Sequence, residues 1–245
     1  MSNRQRLDEV LVARGFYPSR SRARDAVLRG TVTVNGESAS KPAQMIERGA
    51  AIVIADEARK YVSRAAVKLK HGLSHFGISA KGCNALDIGA STGGFTQVLL
   101  EAGAAHVTAI DVGHGQMMVG AKRVTLIEGL NARDLEARHL GHAIDLIVCD
   151  VSFISLKLAL PPALDLAAGG AHLIALIKPQ FEAGRDALGK GGLVTDPAEH
   201  ERVCAEISDF LSRRGWLVLG LAASPLEGGD GNKEFLIAAR KSQSN

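Results

Sequence analysis

Apolar residues fall at helical spacing in some stretches of this chain and in short unbroken or alternating runs in others. Leu7, Val10 and Leu11 stand at i, i+3 and i+4, one face of a short helix. After Tyr17-Pro18 a second helix is predicted, with Ser19 or Ser21 as cap, Ala23, Ala26 and Val27 as apolar face and Gly30 as stop. Thr31-Val32-Thr33-Val34 then alternates, Asn35-Gly36 is a two-residue hairpin signal, and Ala50 to Ile54 supplies another strand. Asp56 to Lys60 reads as a charged connector. Beyond it, Leu69, Leu73 and Phe76 mark a helix from Ala65 to about Phe76, with Lys68 in its first turn. From Asn84 onward strands and helices alternate. Strands are predicted over 85–88, 106–110, 124–127, 144–149, 171–177, 216–222 and 234–239, and helices over 95–102, 156–167 and 197–213. Such alternation gives an α/β domain with a mostly parallel sheet covered on both faces. The last two strands are joined through Ser224 to Asn232 without a helix, so they are expected to pair antiparallel.

The 245 residues suffice for one large and one small domain, and a hydrophobic content of 46% allows a sizeable core. No run reaches the roughly 18 to 20 apolar residues of a membrane helix. The start, Met1-Ser2-Asn3-Arg4-Gln5-Arg6, is not followed by a signal-peptide apolar core. Cys83, Cys149 and Cys204 lie far apart among apolar neighbours, as small buried thiols of a reducing cytoplasm do. The eight histidines show no zinc-ligand spacing, so no metal is expected. Net charge is only +3, but the first 60 residues hold eleven Lys/Arg against seven Asp/Glu, so the positive excess is confined to the first quarter.

Asn84 to Leu100 reads as an apolar strand, a glycine-rich turn and an apolar helix, the opening of a nucleotide-type site. Gly89, Gly93 and Gly94 remove Cβ atoms where a ligand is expected to approach the backbone, and the helix from about Phe95 presents free N–H groups at its start. A dinucleotide fingerprint needs a second glycine where this chain has Ser91, so NAD is disfavoured. Asp87, just before the turn, and Asp111, ending the next strand, suit a ligand with an amino-acid end and a ribose. S-adenosylmethionine has both and carries no phosphate. Where two later strands end, Asp150-Val151-Ser152-Phe153-Ile154-Ser155 and Lys178-Pro179-Gln180-Phe181-Glu182 place an acid and a lysine at the same sheet edge.

The helix-helix-hairpin pattern of roughly Gln5 to Ile54, with Gly30-Thr31-Val32-Thr33-Val34-Asn35-Gly36 as its signature, resembles the S4-type RNA-binding domain. The resemblance implies binding of structured RNA, mostly through phosphate contacts and shape, with Arg4, Arg6, Arg20, Arg22, Arg24 and Arg29 as candidate contacts. The rest of the chain resembles the TlyA-type ribosomal RNA methyltransferases, whose catalytic domain is similar to the FtsJ type of RNA 2′-O-methyltransferase. Ser63 to Leu69, Asp87 to Thr96, Asp150 to Leu156, Lys178 to Glu182 and Gly231 to Phe235 carry this likeness; at Ala65-Ala66 the chain departs from the glycine that is frequent in the family. The resemblance implies a class I, Rossmann-like S-adenosylmethionine methyltransferase domain over 61–245, preceded by a small α+β RNA-binding domain and connector over 1–60.

The same resemblance implies a catalytic tetrad of Lys68, Asp150, Lys178 and Glu234, and a cofactor site of Asp87, Gly89, Ser91, Thr92, Gly93, Gly94, Phe95 and Asp111, with Asn131 added for the adenosyl group. A ribose 2′-hydroxyl holds its proton at neutral pH, so a base must remove it as the methyl moves from sulfonium to oxygen; Lys178 is the candidate base. To act so the lysine must be neutral part of the time, through desolvation or a nearby cation such as Lys68. The expected function is 2′-O-methylation of ribosomal RNA, free or within ribosomal subunits, in the cytoplasm. A non-catalytic RNA-binding or ribosome-assembly factor is the alternative. Direct membrane lysis, suggested by the haemolysin label common in this family, finds no apolar span or barrel pattern to support it. The glycine-bearing segment from Ala183 to Asp196 is expected to be a mobile flap over the RNA or a disordered connector.

Overall fold

The computed structural model describes residues 4–228 and 231–243. Met1 to Asn3 of the N-terminal reading and Gly229-Asp230 of the last connector lie outside the described residues. Two compact units are present, residues 1–60 and 61–245.

The first unit runs β1 (Arg4–Arg6), α1 (Leu7–Ala13), α2 (Arg20–Leu28), β2 (Val32–Val34), β3 (Glu37–Ser38), β4 (Met45–Glu47) and β5 (Ile52–Ile54). Leu7, Val10 and Leu11 of α1 and Ala23, Ala26 and Val27 of α2 are buried together with Val32 and Val34, so the helical stripes read from sequence form the small core. Ser19 caps α2, its hydroxyl accepting from the Arg22 N–H at 3.4 Å. Asn35 (φ 51°) and Gly36 (φ 86°) both hold the positive φ that a tight β2–β3 hairpin requires. The Asn35 carboxamide also accepts from the Ala51 N–H at 2.9 Å, which fixes β5 against β2. β1 and β4 form a separate two-stranded pair. The connector read at Asp56 to Lys60 is folded in: the Tyr17 hydroxyl donates to Asp56 at 2.8 Å, and 57–60 is a 3-10 turn.

The second unit runs α3 (Ala65–His75), β6 (Asn84–Ile88), α4 (Gly94–Glu101), β7 (His106–Asp111), β8 (Val124–Glu128), β9 (Ile144–Cys149), α5 (Leu156–Ala159), α6 (Pro161–Leu166), β10 (Ala167–Ile177), α7 (Pro179–Glu182), α8 (Pro197–Arg213), β11 (Trp216–Ala223) and β12 (Phe235–Lys241). Its seven-stranded sheet has the order β11-β12-β10-β9-β6-β7-β8. β12 is antiparallel to both neighbours, and the pairings from β10 to β8 are parallel. Successive strand residues point to opposite faces, and the central strands β6, β9 and β10 are covered on both, while the edge strands β11 and β8 keep exposed positions such as Leu217 and Leu126. Leu86, Ile147 and Leu173 pack on one side with Val203, Ile207 and Leu211 of α8. Ala85, Leu146, Val148 and Ile174 pack on the other with Leu69 of α3 and Val98 and Leu99 of α4.

One expectation is corrected. The helix read over 156–167 is two short helices, because Pro161 and Pro162 have no N–H to give to a preceding turn; Pro161 instead starts α6. The segment 183–196 has local structure of its own. It contains 3-10 turns at 185–187 and 190–192, and Val194 is buried with its N–H donated to the Asn232 side-chain oxygen at 2.9 Å. The His200 ring lies 2.8 Å from the Val194 carbonyl on the other side.

The turn after β6 owes its shape to Gly89. Its φ is +81°, and a Cβ there would run into the backbone carbonyl of Asp150. Gly89→Ala is therefore expected to cost more than about 2 kcal/mol of stability, since it adds φ strain to a backbone clash. Urea unfolding of the variant checks this, and a midpoint equal to the parent's contradicts it.

Candidate active site

Parallel pairing carries the ends of β6, β7, β9 and β10 to one sheet edge, where open α/β sheets bind ligands. Asp150 follows β9, and its N–H is donated to the Ile88 carbonyl at 2.9 Å, beside Gly89. Lys178 follows β10. β12 meets β10 antiparallel with Ile177 opposite Phe235, so Glu234 arrives next to Lys178. Lys68 reaches this edge from α3, which lies close on the sheet because Gly72, one turn further along the same face, has no side chain; a Cβ there would sit 3.2 Å from Ile174 Cγ2. The four side chains read from sequence are thus brought to one place.

They meet as two ion pairs. Lys68 Nζ contacts Glu234 Oε2, with only 7% and 3% of the two side chains exposed. Burial holds the Glu234 carboxyl above the ordinary glutamate range, against the opposing pull of Lys68. Lys178 Nζ lies 2.6 Å from Asp150 Oδ1. That approach has the distance of an ion pair without the angle of a hydrogen bond, and Asp150 Oδ1 has no hydrogen-bond donor. The directional bond of Lys178 goes to the Ser152 hydroxyl at 3.0 Å. Glu182 ties the two strand-end segments together, its carboxylate accepting from the Ser155 hydroxyl at 2.5 Å and the Leu156 N–H at 2.7 Å.

Beside the pairs a cleft of about 1090 Å³ opens along the strand ends. Gly89, Ser91, Asp111 and Asn131 line it, as does Asp150. Asp111 is held by two backbone N–H groups, from Ser91 at 2.8 Å and Gly113 at 2.7 Å. Asp87, Thr92, Gly93, Gly94 and Phe95 of the glycine turn do not line the cleft itself. A Cβ on Gly93 would meet Met117 Sδ at 2.5 Å, and one on Gly94 would meet Ser63 Cβ at 2.8 Å. Both glycines therefore admit the chain itself: the segment after β7 over the turn, and the start of α3 against α4. Thr92 is covered by the same segment, its carbonyl accepting from the Met118 N–H at 3.1 Å, and Phe95 belongs to the core. Asp87 is fully buried beneath the turn, one oxygen accepting from the Thr96 hydroxyl at 2.6 Å and the other unpartnered. Burial pushes its carboxyl up to about 7. Apolar side chains also line the cleft, Val112 and Leu130 beside Asp111 and Asn131, and Val151 and Ile154 within the segment after β9; none of the four was among the residues singled out from sequence.

The N-terminal arginines separate into two groups. Arg29 is no open contact: it is clamped by Asp56 at 2.9 and 3.0 Å and by Asp25 at 3.0 Å, and only 20% of its side chain is exposed. Arg6 and Arg20 converge on the buried carboxylate of Asp8, at 2.9 and 3.2 Å, and Arg22 donates to the Ala58 carbonyl at 3.1 Å. The buried Asp8 carboxylate needs such partners, and it holds one end of each guanidinium while 38% of the Arg6 and 53% of the Arg20 side chain stay exposed. Arg4 and Arg24 are exposed as well. Among the described residues no group of three or more His, Cys, Asp or Glu is placed to hold a metal ion.

Residues 61–241 match the FtsJ-like methyltransferase family, and residues 5–52 match the S4 domain. The chain is 42% identical over 244 residues to the 16S/23S rRNA (cytidine-2′-O)-methyltransferase TlyA of Mycobacterium tuberculosis, covering 98% of this chain and 91% of that protein. The chain belongs to the TlyA family of FtsJ-like methyltransferases. Another TlyA-family relative, Hemolysin A of Brachyspira hyodysenteriae, is 39% identical over 94% of this chain and 98% of its own. The solved structure of a hemolysin-named protein of Streptococcus thermophilus superposes with a TM-score of 0.76 at 38% identity, covering 100% of this chain and 90% of that one. The TlyA-family sheet, with its reversed β12 inserted between β11 and β10, is the class I methyltransferase arrangement.

Proposed function

We propose that this chain transfers the methyl group of S-adenosylmethionine to the 2′-hydroxyl of a cytidine in ribosomal RNA, with the N-terminal unit supplying RNA affinity. The observation that carries this reading is the convergence of Lys178–Asp150 and Lys68–Glu234 at the sheet edge beside the cleft. The name of the Mycobacterium tuberculosis relative supports cytidine and both ribosomal RNAs. No helix among the described residues is long and apolar enough to cross a membrane, and a ribosomal substrate puts the proposed site of action in the cytoplasm.

The cleft suits this cofactor. Its lining has carboxylates at Asp111 and Asp150 and apolar side chains at Val112, Leu130 and Val151, with Arg133 as the basic residue. Two carboxylates favour a cationic ligand with ribose hydroxyls over one carrying a pyrophosphate. Asp111 would hold the cofactor ribose, Asn131 and the apolar lining the adenine, and the Gly89–Ser91 backbone the amino-acid end. When bound, the sulfonium supplies an activated methyl group, so the protein need only prepare the oxygen that accepts it. Lys178 takes the proton from that oxygen, and Asp150 stabilises the ammonium that results. Lys68, held by Glu234, faces the ribose as a fixed cation. Phe153, 91% exposed with a φ of 64° and its ring 5.1 Å from that of Phe181, gives the rim an aromatic face suited to an unstacked base.

Labelled S-adenosylmethionine incubated with separated ribosomal subunits tests the reading: counts in RNA that depend on the protein support it, and cofactor binding without RNA labelling in either subunit opposes it. The two groups of arginines give a second test. Arg24→Ala is expected to weaken RNA binding and reduce the salt slope by about one, with stability unchanged. Arg29→Ala is expected to lower stability by about 2 to 4 kcal/mol by stranding the Asp56 carboxylate. RNA titrations at several salt concentrations, paired with urea unfolding, separate the two.

A further inference from the structure

We propose that Ser152 is a positioning residue that aims the Lys178 amine at the ribose 2′-oxygen. The inference rests on the methyltransferase reading above and adds a residue to it. A neutral amine has two N–H bonds and one lone pair, and it acts as a base only along the lone pair. A lysine amine also rotates freely about its last carbon–nitrogen bond, so one charged neighbour sets its place without setting its direction. Asp150 is such a neighbour: its Oδ1 stands 2.6 Å from Nζ without the angle of a hydrogen bond. Ser152 Oγ, accepting from Nζ at 3.0 Å, supplies the directional contact. With one N–H bonded to Ser152 and another drawn toward Asp150, the remaining tetrahedral position is fixed, and it carries the lone pair when the amine is neutral.

The loop that carries the hydroxyl is anchored on both sides of Ser152. Ser152 lies two residues after Asp150, whose N–H is anchored on the Ile88 carbonyl at 2.9 Å. Three residues further on, Ser155 donates to Glu182 at 2.5 Å, and Glu182 lies on the segment that begins with Lys178. Base and acceptor are thus joined directly, and the segments that carry them are joined a second time by Ser155 and Glu182. In the step itself the 2′-O–H bond breaks and its proton forms the third N–H bond of Lys178. The oxygen electron pair then forms the bond to the methyl carbon, and the S–C pair returns to sulfur. The ammonium keeps both protein partners throughout, so no side chain has to move.

The test uses the full chain as wild type, Ser152→Ala and Ser152→Thr, with labelled S-adenosylmethionine and separated ribosomal subunits. Alanine is expected to lower kcat roughly ten- to hundredfold, the loss of one hydrogen bond to a charged group, with KM for RNA and the cofactor Kd within about twofold of wild type. Threonine, which restores the hydroxyl, is expected to return kcat to within about threefold. In protein without cofactor, alanine is expected to speed water exchange of the Lys178 ammonium in lysine-¹⁵N NMR spectra. Equal kcat in wild type and alanine overturns the inference and leaves the methyltransferase reading intact. So does a threonine variant no better than alanine, or a kcat loss matched by weaker cofactor binding. A wild type that labels no RNA overturns both.

Discussion

Lys178→Ala is expected to lower single-turnover methyl transfer by roughly a hundred- to ten-thousandfold while leaving cofactor affinity within about twofold. A positioned general base contributes roughly 10² to 10⁴ in rate, and nothing else at this edge takes its place: Asp150 points at Lys178 itself, and Lys68 is committed to Glu234. Lys178→Arg sharpens the expectation. Guanidinium stays protonated at any usable pH and so accepts no proton; if Lys178 served only as a positive charge, arginine would restore much of the rate. The account expects arginine to be as inactive as alanine. Rapid-quench labelling gives the rate and calorimetry the affinity. An arginine variant retaining more than about a tenth of wild-type rate would contradict the base assignment.

The second large effect is on stability. Glu234→Ala leaves the Lys68 ammonium without its ion-pair partner and with only 7% of its side chain exposed, and removing one member of a buried pair costs about 3 to 5 kcal/mol. Lys68→Met is expected to cost a similar amount for the mirrored reason, since Glu234 already has a carboxyl raised by burial. The double variant Lys68→Met/Glu234→Leu strands no charge and is expected to recover most of that stability while remaining inactive. Urea unfolding of the four proteins, with slopes compared, reads the coupling. Two single variants as stable as wild type would show that the pair is solvated and carries no such cost.

How much was legible in the sequence follows from the physics of each feature. The parallel core strands show themselves because strands buried on both faces must be nearly continuous in apolar residues, as Leu146 to Cys149 and Leu173 to Ile177 are. β1 and β4 carry no such mark: Arg4–Arg6 and Met45–Glu47 are three residues each and largely exposed, held by pairing to one another. The nearness of Asp150 and Lys178 was readable because strand ends gather at one edge, whereas Lys68 and Glu234 were named only through resemblance to the FtsJ type. The pairing of Lys68 with Glu234 was not, since it depends on how α3 lies across Gly72. The contacts of Gly93 and Gly94 with Met117 and Ser63 were not readable for a general reason: a missing Cβ signals close approach, and sequence does not say whether ligand or chain approaches. The clamp on Arg29 was hidden similarly, because the carboxylate that holds it, Asp56, lies 27 residues away in what reads as a charged connector.

The central claim is that the methyl group goes to a ribose oxygen, and alkaline hydrolysis tests it most directly. Cleavage of RNA by alkali requires a free 2′-hydroxyl, so a 2′-O-methyl group protects its own phosphodiester bond. Ribosomal RNA labelled by this protein from radioactive S-adenosylmethionine, then digested in alkali, is expected to release its label in alkali-stable dinucleotides whose 5′ nucleoside is a methylated cytidine. Label recovered in mononucleotides would place the methyl group on a base and contradict the account.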